Sequence, residues 1–297
     1  MRNVYSERLS RCGAAMEAAG LDVLLLTKPA NMAYLTGDGR LCAFCMVTRD
    51  GRVALGVPQT DVVDVTALAQ ADRILGFEDE VGMIHGIAHC FAEFGITAGT
   101  VGLEYTFLTQ SMMGMLTHPH AKPAEIAGAD GTAILSRLRM VKDEGEIASI
   151  REAARVAVVG MATAVQALRP GMTESQVAAE AEYAMRYAGA EEFWRTYVCS
   201  GPRTSIAHGL PTGRVIRPDD LVMIDLHPIV NGYSADICRT VCAGRPSAEQ
   251  EQAFDAYRNA QQSTIAMARA GVGVGDLEAN LHQVLKDAGY GDKIFGP

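Results

Sequence analysis

The chain has 297 residues, of which 48% are hydrophobic and 21% charged, and its formal net charge is -9 at pH 7. This length allows one large domain or two, and the acidic balance argues against a protein that binds nucleic acid. No apolar stretch approaches the roughly 20 residues of a membrane-spanning helix, so no membrane partner is predicted. The charged amino terminus and the odd count of 7 cysteines predict a cytoplasmic protein with free thiols.

The first 130 residues alternate short apolar runs with helical patterns. A helix and then a buried strand are predicted over 6–27. A hairpin is predicted over 42–57, because Asp50-Gly51 supplies the positive φ of a tight turn. We therefore expect residues 1–130 to form an α/β domain of their own.

A second pattern begins after the loop-like stretch 118–123. Long helices are predicted from Asp143 and from Thr173, because Glu or Gln follows each of them three residues later in a capping-box pattern. The remaining predicted elements are strands over 193–199, 221–224 and 233–242 and helices from Ser247 and Val274. We expect residues 131–297 to form a second domain, so that the chain as a whole is of the α/β (α+β) class.

Asn231-Gly232 is the strongest hairpin signal in the sequence. If these two residues form the turn, strand alternation places four side chains that can carry chemistry on one face of the sheet. They are Asp225, His227, Asp236 and Cys238.

The two aspartates on this face need a compensating charge. Asp225 directly follows the apolar run 221–224, and an isolated buried carboxylate is too costly to leave without a metal, an Arg or a raised pKa. The two carboxylates can bind a cation pair or share a proton. Arg239 can instead pair with either aspartate, and the residues alone favour a metal site and a salt-bridge network equally.

The same segment resembles a known family. Asp225 and Asp236 lie eleven residues apart across an Asn-Gly-Tyr turn and are followed by Arg239-Thr240. They resemble the first two metal ligands of the pita-bread metallopeptidases, the family of Xaa-Pro dipeptidase (prolidase), aminopeptidase P and creatinase. The supporting stretches are 20–37, similar to the creatinase-type amino-terminal domain, 139–147, similar to the entry into the catalytic domain, and 200–209, similar to the segment before the first ligand.

The resemblance implies a creatinase-type α/β domain followed by a partial pita-bread catalytic domain. It implies metal-dependent hydrolysis of Xaa-Pro bonds in short proline-containing peptides by a homodimer, with two divalent ions that are manganese, cobalt or zinc. Asp225 and Asp236 are then metal ligands, and His208 lies near the scissile carbonyl, where it donates to the carbonyl or handles a proton.

His227 departs from the family pattern, which commonly has glycine two residues after the first aspartate. This histidine can add a ligand, orient a neighbour through a hydrogen bond, or pack beside Pro228. Arg239 and Thr240 are further candidates for residues that contact the metal ligands and orient them without binding the metal themselves.

The family's other three ligands, a histidine and two glutamates, would come after the last residues, 289–297. The resemblance therefore predicts an incomplete dinuclear site and a chain that is inactive at this length.

Two alternative functions stay open. One is a creatinase-like enzyme that hydrolyses a small amidino compound without metal, with His208 as the acid-base group. The other is a non-catalytic pita-bread module that binds peptides or proteins.

Overall fold

The structure is a computed structural model that describes residues 4–294, with the Met115 side chain left out. The chain divides into two compact units, residues 1–149 and 150–297. The boundary between residues 130 and 131 stays a prediction. Among residues 4–294 we find no helix with the length and apolar character that crossing a membrane requires.

The first unit is built on one mixed sheet of six strands in the order β4-β3-β2-β1-β5-β6. The strands are β1 (Val23–Leu26), β2 (Phe44–Thr48), β3 (Val53–Pro58), β4 (Arg73–Phe77), β5 (Ala98–Leu103) and β6 (Glu125–Asp130). The helices are α1 (Val4–Ala18), α2 (Pro29–Thr36), α3 (Val62–Leu68), α4 (Glu80–Glu93), α5 (Gln110–Leu116) and α6 (Thr132–Leu138), with a 3-10 turn at Gln59–Asp61.

Strand β1 lies in the middle of this sheet, antiparallel to β2 and parallel to β5. Leu24 and Leu26 belong to the hydrophobic core on one face, and Val23 and Leu25 belong to the core on the other. A strand buried on both faces requires a continuous apolar run, which explains why the sequence shows no alternation here. The expected α/β character of this part of the chain is confirmed.

The second unit contains a smaller antiparallel sheet in which β8 lies between β7 and β10, and the short β9 also pairs with β8. Its strands are β7 (Glu192–Ser200), β8 (Leu221–Val230), β9 (Tyr233–Ser234) and β10 (Ile237–Cys242). The helices that follow α6 are α7 (Glu144–Ala167), α8 (Glu174–Tyr187), α9 (Ala248–Met267) and α10 (Val274–Asp287), with 3-10 turns at Gly201–Ser205 and Gly291–Lys293.

The predicted helix starts are confirmed by reciprocal hydrogen bonds. The Asp143 backbone N–H donates to Glu146 Oε2 and the Glu146 N–H donates to Asp143 Oδ1, both at 2.9 Å. Thr173 forms the same capping box with Gln176 at the start of α8. These bonds satisfy backbone donors that have no partner within the helix, so a local sequence pattern is enough to set where each helix begins.

The two faces of β8 differ in character. Val222, Ile224 and Leu226 are fully buried in the core that also contains side chains of α7 and α8. The alternate residues, among them Asp225 and His227, therefore lie on the opposite face of the sheet. A shift of one residue in strand pairing would turn the polar side chains into this core, so the apolar face fixes the register.

Candidate metal centre

The hairpin that carries the predicted site has the expected turn and register. Asn231 and Gly232 have φ angles of 50° and 75°, the positive values that a two-residue type I′ turn requires. Val230 pairs with Tyr233, and Asp225 pairs with Cys238. The register predicted from the Asn-Gly signal is therefore confirmed, and it brings the first aspartate and the second to the same face.

Three of the predicted side chains converge on this face. His227 Nε2 lies 3.6 Å from Asp225 Oδ1 and 3.5 Å from Asp236 Oδ1. One ligand atom from each residue lies within 4.8 Å of the other two. Within the described part of the chain, this is the only place where three His, Cys, Asp or Glu donors come so close together.

The His227 ring is oriented by a hydrogen bond to a β-bulge in β7. The pairing of β7 with β8 shifts register between Phe193 and Thr196. In this bulge, the Arg195 backbone oxygen lies 3.0 Å from His227 Nδ1. A carbonyl oxygen can only accept, so Nδ1 carries the proton, and in the neutral imidazole the lone pair of Nε2 faces the two carboxylates.

Two aromatic rings complete the surroundings of this histidine. Trp194 and Tyr197 approach the His227 ring edge-on, with ring centroids 5.5 and 5.7 Å away. His227 is 6% exposed, whereas Trp194 is 61% exposed. The imidazole is therefore fixed by one hydrogen bond and two aromatic contacts, and an accessible indole lies beside it.

Asp225 is the least satisfied carboxylate of the site. Its Oδ1 is buried and has no hydrogen-bond partner among residues 4–294. Burial raises the pKa of Asp225, His227 opposes that shift, and the nearby Asp236 carboxylate adds to it. A buried oxygen with an unused lone pair, next to a second carboxylate and an imidazole nitrogen, fits a bound divalent cation.

Cys238 also lies on the site face, opposite Asp225 in the strand register. Burial raises the pKa of the Cys238 thiol to about 11, and the two aspartates add to the shift. Without a bound cation the thiol form of this exposed cysteine is therefore favoured at neutral pH.

His208 is exposed and follows the 3-10 turn Gly201–Ser205. Its ring lies 5.6 Å from that of Tyr197, the residue that also contacts His227. The structure thus places the predicted catalytic histidine at the border of the donor cluster, with the Tyr197 ring in contact with both histidines. Its catalytic role stays a prediction.

The segment that carries His208 is fastened at both ends to one buried side chain. Glu174, fully buried at the start of α8, accepts hydrogen bonds from the backbone N–H and hydroxyl of Ser200 and from the same groups of Thr212. Arg203 adds an ion pair at 3.2 Å. Burial alone would raise the pKa of Glu174, but the hydrogen bonds from Thr212 and Ser200 outweigh it and lower the pKa.

The two residues proposed to support the ligands lie on different faces. Arg239 pairs with Ile224 and so lies on the face away from Asp225. Its Nη1 donates to the Cys238 carbonyl at 2.7 Å, and among the described residues no ion pair joins it to either aspartate. Thr240 pairs with Met223 and lies on the site face. The geometry thus gives no support to the salt-bridge alternative, and the roles of both residues stay predictions.

Comparison with known proteins agrees with the geometry. Residues 148–296 match metallopeptidase family M24, and residues 8–141 match the creatinase/prolidase N-terminal domain. The chain is 27% identical over 289 residues to the Xaa-Pro dipeptidase of Pyrococcus furiosus, a match that covers 96% of this chain and 79% of that protein.

Solved structures show the same relationship. The chain is similar to the Xaa-Pro dipeptidase from Bacillus anthracis, with a TM-score of 0.85 and 26% identity over 97% of this chain and 79% of that one. The X-Pro aminopeptidase from Thermotoga maritima gives a TM-score of 0.83 and 26% identity over 97% and 78% of the two chains.

The chain therefore belongs to metallopeptidase family M24. The resemblance drawn from the sequence is confirmed, and so is the fold class, a creatinase-type amino-terminal domain with a pita-bread domain. Family membership implies divalent metal cofactors, and the donor cluster of the hairpin fits them because it offers two carboxylates and an imidazole nitrogen.

Proposed function

We propose that this metallopeptidase hydrolyses Xaa-Pro bonds in short proline-containing peptides. The observation that carries the proposal is the convergence of Asp225, His227 and Asp236, with a buried carboxylate oxygen that no described group satisfies. The Xaa-Pro dipeptidase of Pyrococcus furiosus, which matches 96% of this chain, supports the choice of substrate class.

Asp225 and Asp236 would hold the metal, and manganese, cobalt and zinc are the candidate ions in a site of two. When bound, such ions lower the pKa of water and stabilise the oxyanion that develops during amide hydrolysis. His208 is exposed beside Tyr197, where a ring nitrogen can donate to the substrate carbonyl or transfer a proton.

The aromatic side chains beside the donors suit a proline residue. The bond to proline has no N–H, so the site must recognise the substrate through its carbonyl oxygens and its apolar ring. Trp194 and Tyr197 supply aromatic rings next to His227, and Trp194 is largely exposed. We expect the proline ring to contact the indole.

The seven cysteines are all unpaired where the structure describes them, as expected of a cytoplasmic protein. The cytoplasmic location, the homodimer and the number of ions remain predictions from the sequence and the family resemblance.

The test is hydrolysis of Ala-Pro, with Ala-Ala as the comparison, by the protein at its native length before and after removal of metal with a chelator. We expect cleavage of Ala-Pro that is lost on chelation and restored by manganese, cobalt or zinc. Asp225→Asn and Asp236→Asn should lose both bound metal and cleavage. Asp255→Asn, which changes an exposed aspartate of α9, is the matched control and should retain both.

Three results would contradict the proposal. Full activity of Asp225→Asn would exclude the metal site. Hydrolysis of creatine by metal-free protein would favour the creatinase-like alternative. Binding of Ala-Pro without turnover by metal-loaded protein of native length would favour the non-catalytic module.

A further inference from the structure

We infer that His227 is a third protein ligand, through Nε2, of the cation held by Asp225 and Asp236. The inference rests on the metal site of the proposed peptidase and adds a nitrogen donor to its two carboxylates. A nitrogen donor also favours cobalt and zinc over manganese as the ion that the hairpin binds.

The first argument is electrostatic. Because Nδ1 donates to the Arg195 carbonyl, Nε2 is the ring nitrogen that points at the two carboxylate oxygens. Two carboxylate oxygens that face one ring nitrogen need a positive charge between them, which a metal ion bound to Nε2 supplies. His227 is only 6% exposed and little water reaches its ring, whereas the Asp236 side chain is 75% exposed, so the need for a compensating charge is greatest between His227 and Asp225.

The second argument comes from the distances. The contacts from Nε2 to the two oxygens, 3.6 and 3.5 Å, are too long for good hydrogen bonds, so a proton alone does not explain the arrangement. Donors bound tetrahedrally to one ion at about 2.1 Å lie about 3.4 Å apart. The two spacings to Nε2 therefore match those of ligands around a shared metal ion, and the third donor pair lies within 4.8 Å.

The third argument is preorganisation. The bulge in β7 brings the Arg195 carbonyl to His227, and the Trp194 and Tyr197 rings pack against the imidazole in T-shaped contacts. Histidines that bind metals commonly donate their other ring N–H to a carbonyl or carboxylate, which fixes the tautomer. All of these contacts lie within the second unit.

The added nitrogen donor affects which ion binds. Carboxylate and water ligands suit manganese, whereas imidazole suits zinc and the later transition metals. We therefore expect the hairpin to bind cobalt and zinc more tightly than manganese, and we expect replacement of His227 to weaken cobalt and zinc more than manganese.

The test is titration of metal-free protein with Co²⁺, followed by proton NMR in water. A Co²⁺ ion on Nε2 should give a strongly shifted, exchangeable signal from the Nδ1 proton that disappears in heavy water. His227→Phe keeps a ring against Trp194 but removes the donor, so the signal should vanish and Co²⁺ affinity should fall about 100-fold or more. His89→Phe, at an exposed histidine of α4, should change neither.

A second measurement avoids any variant. In wild-type protein with ¹⁵N-labelled histidine, Zn²⁺ should shift the Nε2 resonance of His227 and leave Nδ1 protonated. Bound Co²⁺ without a His227 signal, or unchanged Co²⁺ affinity in His227→Phe, would overturn the ligand role and leave Xaa-Pro hydrolysis untouched. A His227 signal in protein that never cleaves Ala-Pro would support the ligand and contradict the proposed function alone.

Discussion

Glu174 and Asp225 are two carboxylates of the second unit that are largely enclosed by protein, yet their surroundings affect them in opposite ways. Glu174 is fully buried and accepts from Ser200, Thr212 and Arg203, and its pKa is lowered. Asp225 has a buried oxygen with no partner among the described residues, and its pKa is raised. The first carboxylate is stabilised by its surroundings, and the second is destabilised by them.

This difference separates a structural carboxylate from one that awaits a ligand. A buried charge that is fully hydrogen-bonded holds its neighbours in place, and here Glu174 joins the two ends of the segment that carries His208. A buried charge without partners costs stability and persists where a function requires it. Replacing one carboxylate or the other should therefore change the free energy of unfolding in opposite directions when no metal is bound.

The largest expected effect is that of Glu174→Gln. Removing one partner from a buried ionic network leaves the others unsatisfied, and we expect the free energy of unfolding to fall by about 3 kcal/mol. The single tryptophan of the sequence, Trp194, lies on β7, so its fluorescence during urea unfolding reports on the second unit. Glu180→Gln, at an exposed glutamate of the same helix, should change stability little.

The pH dependence of the same variant gives an independent check. Because the pKa of Glu174 is lowered in the folded state, its stabilisation is present above the ordinary glutamate pKa and is lost as pH falls through the lowered value. The difference between wild type and Glu174→Gln should therefore shrink in acid. A difference that stays constant across this range would show that the charge of Glu174 is not what stabilises the fold.

Metal binding at Asp225 should have a large effect on the free energy of unfolding. An ion that binds only the folded state stabilises it, by about 2.7 kcal/mol at a free concentration of one hundred times Kd. We expect this gain in wild-type protein and not in Asp225→Asn, measured by urea unfolding with Zn²⁺ or with a chelator. An equal gain in the variant would place the ion elsewhere.

Thr212→Val should have a smaller effect than Glu174→Gln. The variant keeps the shape of the side chain and removes the hydroxyl that donates to Glu174 Oε2 at 2.6 Å, while the backbone N–H of residue 212 still donates. A hydrogen bond to a charged group contributes about 1.5 kcal/mol or more, so we expect a loss near that value. A loss as large as that of Glu174→Gln would mean that the network collapses as a unit.

Much of the site could be predicted because its signals are local. The Asn231-Gly232 turn sets the register of the hairpin, and the register alone brings Asp225 and Asp236 to one face. The bulge at Arg195 could not be predicted, because no residue pattern in β7 marks the place where an extra residue enters the strand. Trp194 and the carbonyl that orients His227 were missed for that reason.

Long-range partners and exposed strands were missed for different reasons. In the sequence Glu174 is only the first residue after a helix cap, and its partners lie 26 to 38 residues further along the chain. Strands β4 and β6 lie at the two edges of the first sheet and contain exposed or half-buried positions, so neither shows the apolar run that identified β1. Hydrophobic patterning identifies buried strands but does not identify strands at a sheet edge.

The smallest expected effect has the opposite sign to that of Glu174→Gln. In metal-free protein at pH 7, Asp225→Asn should raise the free energy of unfolding by up to about 1 kcal/mol, because it removes a charge that the fold disfavours. The raised pKa of Asp225 means that the folded state binds the proton more tightly than the unfolded state. The free energy of unfolding of the wild type therefore falls as pH rises through the folded pKa. The gain should therefore disappear in acid, where Asp225 is protonated. Urea unfolding with a chelator at both pH values measures this, and a variant that is clearly less stable than wild type would mean that Asp225 supports the fold as Glu174 does.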